Sequence, residues 1–222
     1  MHYTIIFIKK SLNQLLLTGF PLITLISCKK HVYITGGVTE DVNMYKNTST
    51  YDVLAKNPLY DTLIKVIDAA GMKDKINAQG TTFFAPTDYS ISGYLNKRTI
   101  DLQNINYNAK FTLDSLLHYI SSNINGTRDS LSLYLIPQLI TYDMLTETGA
   151  YYTTDLAGGK VIISYESTKD PNLGYNSVVS SYPRLIYFTY LWYPYTLNDA
   201  NPASKVPLDI GVRTLVSASG IQ

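Results

Sequence analysis

Cysteine is almost absent. A single thiol, Cys28, in 222 residues excludes an internal disulfide framework and any cysteine-rich zinc module. Histidine is scarce, at three residues, which leaves imidazole chemistry few groups to use. Charge is sparse and balanced: 18 Lys+Arg face 17 Asp+Glu, for a net charge of +1. No basic excess exists to neutralise a phosphate backbone, which argues against nucleic acid as a partner. Long apolar runs are lacking too. The longest, Leu15 to Ile26, is broken by Thr18, Gly19 and Pro21. It falls short of the roughly 20 apolar residues that span a bilayer. Mean hydropathy is −0.01, unlike that of a multi-span membrane protein.

Hydrophobic residues make up 45% of the chain, enough for a packed core. The length fits one domain with appendages, or one large domain. Tyrosine is abundant at twenty residues. Each supplies a large apolar ring with a polar tip, which suits strands, surfaces and sugar-facing sites.

The first thirty residues read as an address. Lys9 and Lys10 precede the short apolar run, as in a secretory signal. The run ends in Leu25-Ile26-Ser27-Cys28, which resembles the bacterial lipobox. That resemblance implies cleavage before Cys28 and lipid attachment to its thiol. The only cysteine stands at the one position this chemistry requires. A simple signal peptide, or an N-terminal helix with an incidental cysteine, is the other reading. Residues 1–27 carry two Lys and no acid, so their removal would turn the net charge from +1 to −1. Three acyl chains on one cysteine would exceed the two signals needed for stable anchoring. No Asp follows Cys28, so the inner-membrane retention signal is absent, and no acidic cluster of the surface-export kind is evident. Either membrane face stays open.

Residues 28–49 read as a tether, polar and flexible around Gly36-Gly37 and Asn47-Thr48-Ser49-Thr50. Asn47-Thr48-Ser49 and Asn125-Gly126-Thr127 match the N-glycosylation pattern and are read as turns. The folded part starts at residue 50, with Thr50 expected to cap a helix that Asn57-Pro58 breaks. A second helix places Leu59, Leu63, Val66, Ile67 and Ala70 on one face and ends at Gly71. A short helical turn, Met72 to Ile76, and a turn at Gln79-Gly80 follow. Thr81 to Pro86 reads as a strand, and Thr87 or Asp88 as the cap of a helix from Tyr89 to Leu95.

Tyr51-Asp52-Val53-Leu54, then Leu63 through Ala70-Gly71-Met72, then Thr82-Phe83-Phe84-Ala85-Pro86-Thr87-Asp88 resemble the fasciclin (FAS1) domain in order, spacing and residue type. Thr82, Phe84, Ala85, Pro86, Thr87 and Asp88 carry the family's first signature. Weaker matches continue. Leu113 to Leu117 resembles the next amphipathic helix, and Leu133-Tyr134-Leu135-Ile136-Pro137 the family's Tyr-His segment. Leu135 stands where the His is usually found, so no role of that His carries over. Residues 150–154 and 160–166 read as a hairpin across Ala157-Gly158-Gly159, with Val161, Ile163 and Tyr165 alternating. Leu208-Asp209-Ile210 and Ser217 to Gln222 resemble the approach to the second signature. The strand that follows it in the family lies past Gln222. The resemblance covers roughly residues 48–222. It implies an α+β fold, a wedge of short β-strands flanked by α-helices, incomplete at its C-terminal strand and therefore exposing a sheet edge.

The densest feature is Tyr182 to Tyr195. In a strand, Tyr187, Thr189, Leu191 and Tyr193 share one face, and Ile186, Phe188, Tyr190 and Trp192 the other. One reading is a buried central strand whose hydroxyls reach the rim. The other is a contact surface on which Tyr187, Tyr190, Trp192 and Tyr193 bind a sugar or protein. Stretches 169–181 and 197–205 read as long loops, where binding often sits.

Catalytic patterns are thin. No G-x-S-x-G, Walker A, H-E-x-x-H or EF-hand loop occurs. His118 reads as a helix-face residue and His31 falls in the tether. Asp199, Asn201 and Asp209 lack metal-ligand spacing. Asp209-Ile210 is similar to a pair tied to integrin adhesion in animal fasciclin domains, but reads here as a turn cap and a core residue. Three Asp-Ser/Thr-apolar triplets resemble a Gram-negative O-glycosylation pattern. Of these, only Ser130 reads as accessible. The expectation is a non-enzymatic, lipid-anchored envelope protein. It would need no cofactor or metal, would bind a protein or glycan, and would reach the membrane through its anchor. A carbohydrate-handling accessory and a periplasmic scaffold are the alternatives.

Overall fold

A computed structural model describes residues 47–178, 182–197 and 211–216. All belong to one compact unit, residues 36–222. The leader 1–27, Cys28, most of the tether, Asp199, Asn201, Asp209-Ile210 and residues 217–222 lie outside the described residues.

Helix α1 spans Thr50–Ala55. Its cap is Ser49 rather than Thr50: the Ser49 hydroxyl accepts from the Asp52 amide at 3.1 Å and donates to the Asp52 carboxylate at 2.7 Å. The exchange satisfies an amide that the first turn leaves without a partner. Asn57 caps a short 3-10 turn, Pro58–Tyr60, so Leu59 falls outside the next helix and is 61% exposed. Helix α2, Asp61–Ala70, buries Leu63, Val66 and Ile67 and closes on Gly71 at φ 66°. Glycine fits that left-handed position because it has no Cβ to clash. Helix α3 covers Lys73–Ile76.

Strand β1 is only Thr82–Phe83. Thr87 caps helix α4, which runs Asp88–Gln103, well past the expected end near Leu95. Only Ile91 is buried along it, so apolar periodicity gives no sign of its length. Helix α5, Leu113–Ser121, opens with a capping box between Thr112 and Ser115. A 3-10 stretch, Ile124–Tyr134, is kinked where Asn125 and Gly126 take positive φ. Strand β2, Leu135–Ile136, pairs antiparallel with β1 in the register Thr82↔Ile136 and Phe83↔Leu135.

Strands β3 (Ala150–Thr153), β4 (Lys160–Ser167), β5 (Arg184–Leu191) and β6 (Gly211–Val216) form a second sheet in chain order, every pair antiparallel. The β3–β4 hairpin matches the sequence reading. β4 is buried on both faces at Val161, Ile162, Ile163 and Ser164. β6 falls where the sequence reading placed no strand.

Two apolar clusters result. One gathers Leu54, Leu63, Ile67, Leu116, Ile120 and Leu135 among the helices. The other gathers Ile136, Leu145, Val161, Ile163, Ile186 and Phe188 under the sheet. The architecture is mixed α+β, with helices and two antiparallel sheets.

Candidate functional site

The aromatic strip does not stay together. β5 lies between β4 and β6, so it is a central strand. Ile186 and Phe188 are buried on its inner face and Thr189 on its outer one. The four candidate contact residues occupy three settings. Tyr187 is stacked under the Arg213 guanidinium, 3.5 Å from the ring centroid. The Arg213 Nη2 group also donates to the Glu166 carboxylate at 3.1 Å. That outer-face cluster ties β4, β5 and β6 together, so Tyr187 is a packing partner rather than a free platform. Tyr190 packs at the margin of the sheet cluster.

Trp192 and Tyr193 lie beyond the last residue of β5, where strand alternation has stopped. Trp192 is 41% exposed and Tyr193 96%. The turn is closed by the Tyr195 amide donating to the Trp192 carbonyl at 2.9 Å. The Leu197 amide donates to the Tyr151 hydroxyl on β3 at 2.6 Å, which holds the returning segment against the sheet. Three aromatic side chains, Trp192, Tyr193 and Tyr195, thus project at one end of a central strand. A single strip of four is replaced by a turn of three, because the chain leaves the strand at Leu191.

Every residue of the Thr82–Asp88 stretch has a structural task. The Thr82 hydroxyl donates to the Gln138 carbonyl at 2.8 Å and accepts from the Ile140 amide at 2.9 Å. Phe83 and Ala85 pack against the helical cluster, while Phe84 packs against the sheet cluster beside Phe188, with centroids 5.1 Å apart. Pro86 leads into the cap at Thr87, whose hydroxyl accepts from the Ser90 amide. The Asp88 carboxylate accepts from the Thr62 and Leu63 amides at 2.9 and 3.1 Å. It thereby supplies the capping group that helix α2 lacks from its own N-cap residue, Tyr60.

A groove of about 890 Å³ opens between this stretch and the inner face of β5 and β6. Phe84, Ala85 and Tyr134 form one side; Ile186, Phe188 and Tyr190 form the floor; Val212 and Thr214 form the far wall. Among the described residues that line it, none is charged. The sequence reading missed both the groove and the Arg213–Tyr187–Glu166 cluster. The alternation of Val212, Thr214 and Val216 was the signal available for the far wall.

Among the described residues, three groups titrate away from their ordinary values. The Lys75 ammonium, 2.7 Å away, holds the Asp155 carboxyl below the usual range despite partial burial, and the Ser132 hydroxyl adds to this. The Tyr51 phenol is raised, chiefly by donating to the Asp68 carboxylate. Burial raises the Tyr134 phenol. None of the three faces another in a catalytic arrangement. His118 is exposed on α5, Leu135 is 2% exposed within β2, and Ser130 is exposed. Among the described residues no group of three His, Cys, Asp or Glu side chains could hold a metal ion. No helix among them is long and apolar enough to cross a membrane. No protein-family model and no curated protein matches the chain.

Proposed function

We propose that this chain is a fasciclin-like lipoprotein of the cell envelope, held to the outer membrane through Cys28 and acting by binding rather than catalysis. The observation that carries the binding part is the turn after β5, where Tyr193 is 96% exposed beside Trp192 and Tyr195. Rings held at a strand end by backbone bonds offer area at low ordering cost, the property of aromatic anchors in adhesive contacts. An acyl anchor would concentrate such modest contacts at one surface, so that many act together. The fasciclin part rests on the Thr82–Asp88 phrase and on the α+β arrangement around it. The lipid part rests on Leu25-Ile26-Ser27-Cys28. A carbohydrate ligand is favoured over a protein one by the same turn, since exposed aromatic rings stack on the apolar faces of sugars.

Two experiments test this. Cells expressing the chain are grown with labelled palmitate; the protein should take up label and Cys28→Ser should not. Unlabelled wild-type protein would remove the anchor. Purified protein is then applied to a glycan array and to a panel of extracellular proteins. Trp192→Ala and Tyr193→Ala should each weaken binding at least about tenfold, or roughly 1.4 kcal/mol. Binding unchanged by both substitutions would remove the turn as the contact.

A further inference from the structure

Helix α4 is 16 residues long and buries one of them, Ile91. Ile91, Leu95 and Leu102 turn toward the helical cluster. The opposite stripe is Tyr89, Gly93, Asn96 and Ile100, whose spacings of four, three and four bring them onto one face. All four are exposed, Tyr89 by 89% and Ile100 by 57%. Both ends of the stripe are thus apolar, with about 16 Å of helix between them. More apolar surface stands near each end. Leu59 is exposed in the 3-10 turn that touches α4, where Asp88 reaches the Thr62 amide. Ile105 and Tyr107 are exposed just past the C-terminus.

Gly93 is the informative position. It carries no positive φ, and a Cβ built on it would meet nothing within 4 Å. Inside a helix, glycine costs about 1 kcal/mol relative to alanine. Among the described residues, neither backbone geometry nor packing calls for the missing Cβ. Close approach of a second helix does call for it, because side chains at a crossing set the interaxial distance.

The stripe is also its own complement. Two copies of α4 laid antiparallel about a twofold between Tyr94 and Leu95 set Tyr89 of each against Ile100 of the other. Each Gly93 then leaves room for the other copy's Asn96. None of these four residues is charged. Lys97, beside the stripe, is paired with Asp101 in its own helix, so the twofold brings no unpaired like charges together. Antiparallel helix dipoles oppose favourably. Tyr89 and Tyr107 offer on the order of 300–400 Å² of surface per copy. Leu59, Ile100, Ile105 and the bare backbone at Gly93 extend this toward the roughly 800 Å² per partner of a standard interface.

We propose that the outer face of α4 is a homodimer interface, on which a second copy of this chain lays its own α4 antiparallel across Gly93. The dimer carries two Trp192–Tyr193 turns, and the contact stands whatever those turns bind.

Sedimentation of the full chain with Cys28→Ser, which keeps acyl chains from driving association, tests this over a range of concentrations. Dimer should increase with concentration. Gly93→Leu fills the crossing where the monomer has room, so helix content should hold while dimerisation weakens at least about tenfold. Gly93→Ala separates two roles: it should raise the monomer's resistance to urea through helix propensity and still weaken the dimer. Tyr89→Lys and Ile100→Glu should each weaken the dimer. Combined in one chain they should restore it, because the register sets each substituted position against the other. A monomer at every concentration would overturn the proposal, as would a dimer unchanged by Gly93→Leu or a double variant no better than the single ones. Binding of a monomer to vesicles of phosphatidylethanolamine and phosphatidylglycerol, lost in Ile100→Glu, would overturn it too by giving this face to a membrane.

Discussion

Asp88 shows how much a single side chain can join. It is the first residue of α4, yet its carboxylate accepts from two amides at the start of α2, 25 and 26 positions earlier. One carboxylate thus fixes the angle between two helices and meets the positive end of a helix dipole. Asp88→Ala should cost about 1–2 kcal/mol, the range for loss of a helix cap. Asp88→Asn should restore part of that, because its carbonyl still accepts. Urea unfolding followed by circular dichroism measures both; an Ala variant as stable as wild type would reduce the contact to a coincidence of packing. The sequence signalled a capping residue here. It did not signal which helix would be capped, because a contact across 26 residues leaves no local pattern. The same limit explains Arg213, whose partners Tyr187 and Glu166 lie in two other strands.

Elements were readable where one period dominated. The helix α2 stripe and the β3–β4 hairpin follow from spacing of 3.6 and from a glycine turn. α4 was under-read because it buries a single residue, and β6 because Gly211–Val216 sits next to residues that look like turn. The aromatic strip was over-read in the opposite sense. Alternation from Tyr187 to Tyr193 continues on paper, but the strand stops at Leu191 and the last two rings follow a different path. The β5–β6 pairing is close enough to be tested through one glycine. A Cβ at Gly211 would collide with the Tyr190 carbonyl oxygen and crowd the Leu191 Cα. Gly211→Ala should therefore destabilise the sheet by about 1–3 kcal/mol, as overpacking does. Faster amide exchange in β5 and β6 than in α2 would locate the damage. Uniform effects on both would argue against a local clash.

At the scale of the whole molecule, the two apolar clusters are not separate domains. Tyr134 packs against both of them and stacks on Phe188 with centroids 5.5 Å apart. Across the same seam, Asp155 receives Lys75 from the helical side, and the Asp155 amide donates to the Leu135 carbonyl at 2.8 Å. Burial raises the Tyr134 phenol, so the folded chain keeps a proton that the unfolded chain releases near pH 10. The sign follows: the stabilisation is complete below that value and is lost as pH rises from there through the folded pKa. Because Tyr134 belongs to both clusters, alkaline unfolding should be one transition reported equally by helix and sheet. Tyr134→Phe should make stability less sensitive to pH in that range. A sheet that melts at a different alkaline pH from the helices would refute this coupling.

The short ladder of β1 and β2 has one more implication, for which changes the chain can tolerate. Leu135 is buried in the helical cluster and its neighbour Ile136 in the sheet cluster; Phe83 and Phe84 divide in the same way. Consecutive residues of a strand point to opposite faces, so each of these pairs works as a rivet driven through a wall. Lengthening the chain by one residue just before Leu135 would turn the rivet half a step and send each side chain into the wrong room. Gene variants that insert or delete a single codon there should be far rarer than insertions in the loops, although the strands concerned are only two residues long.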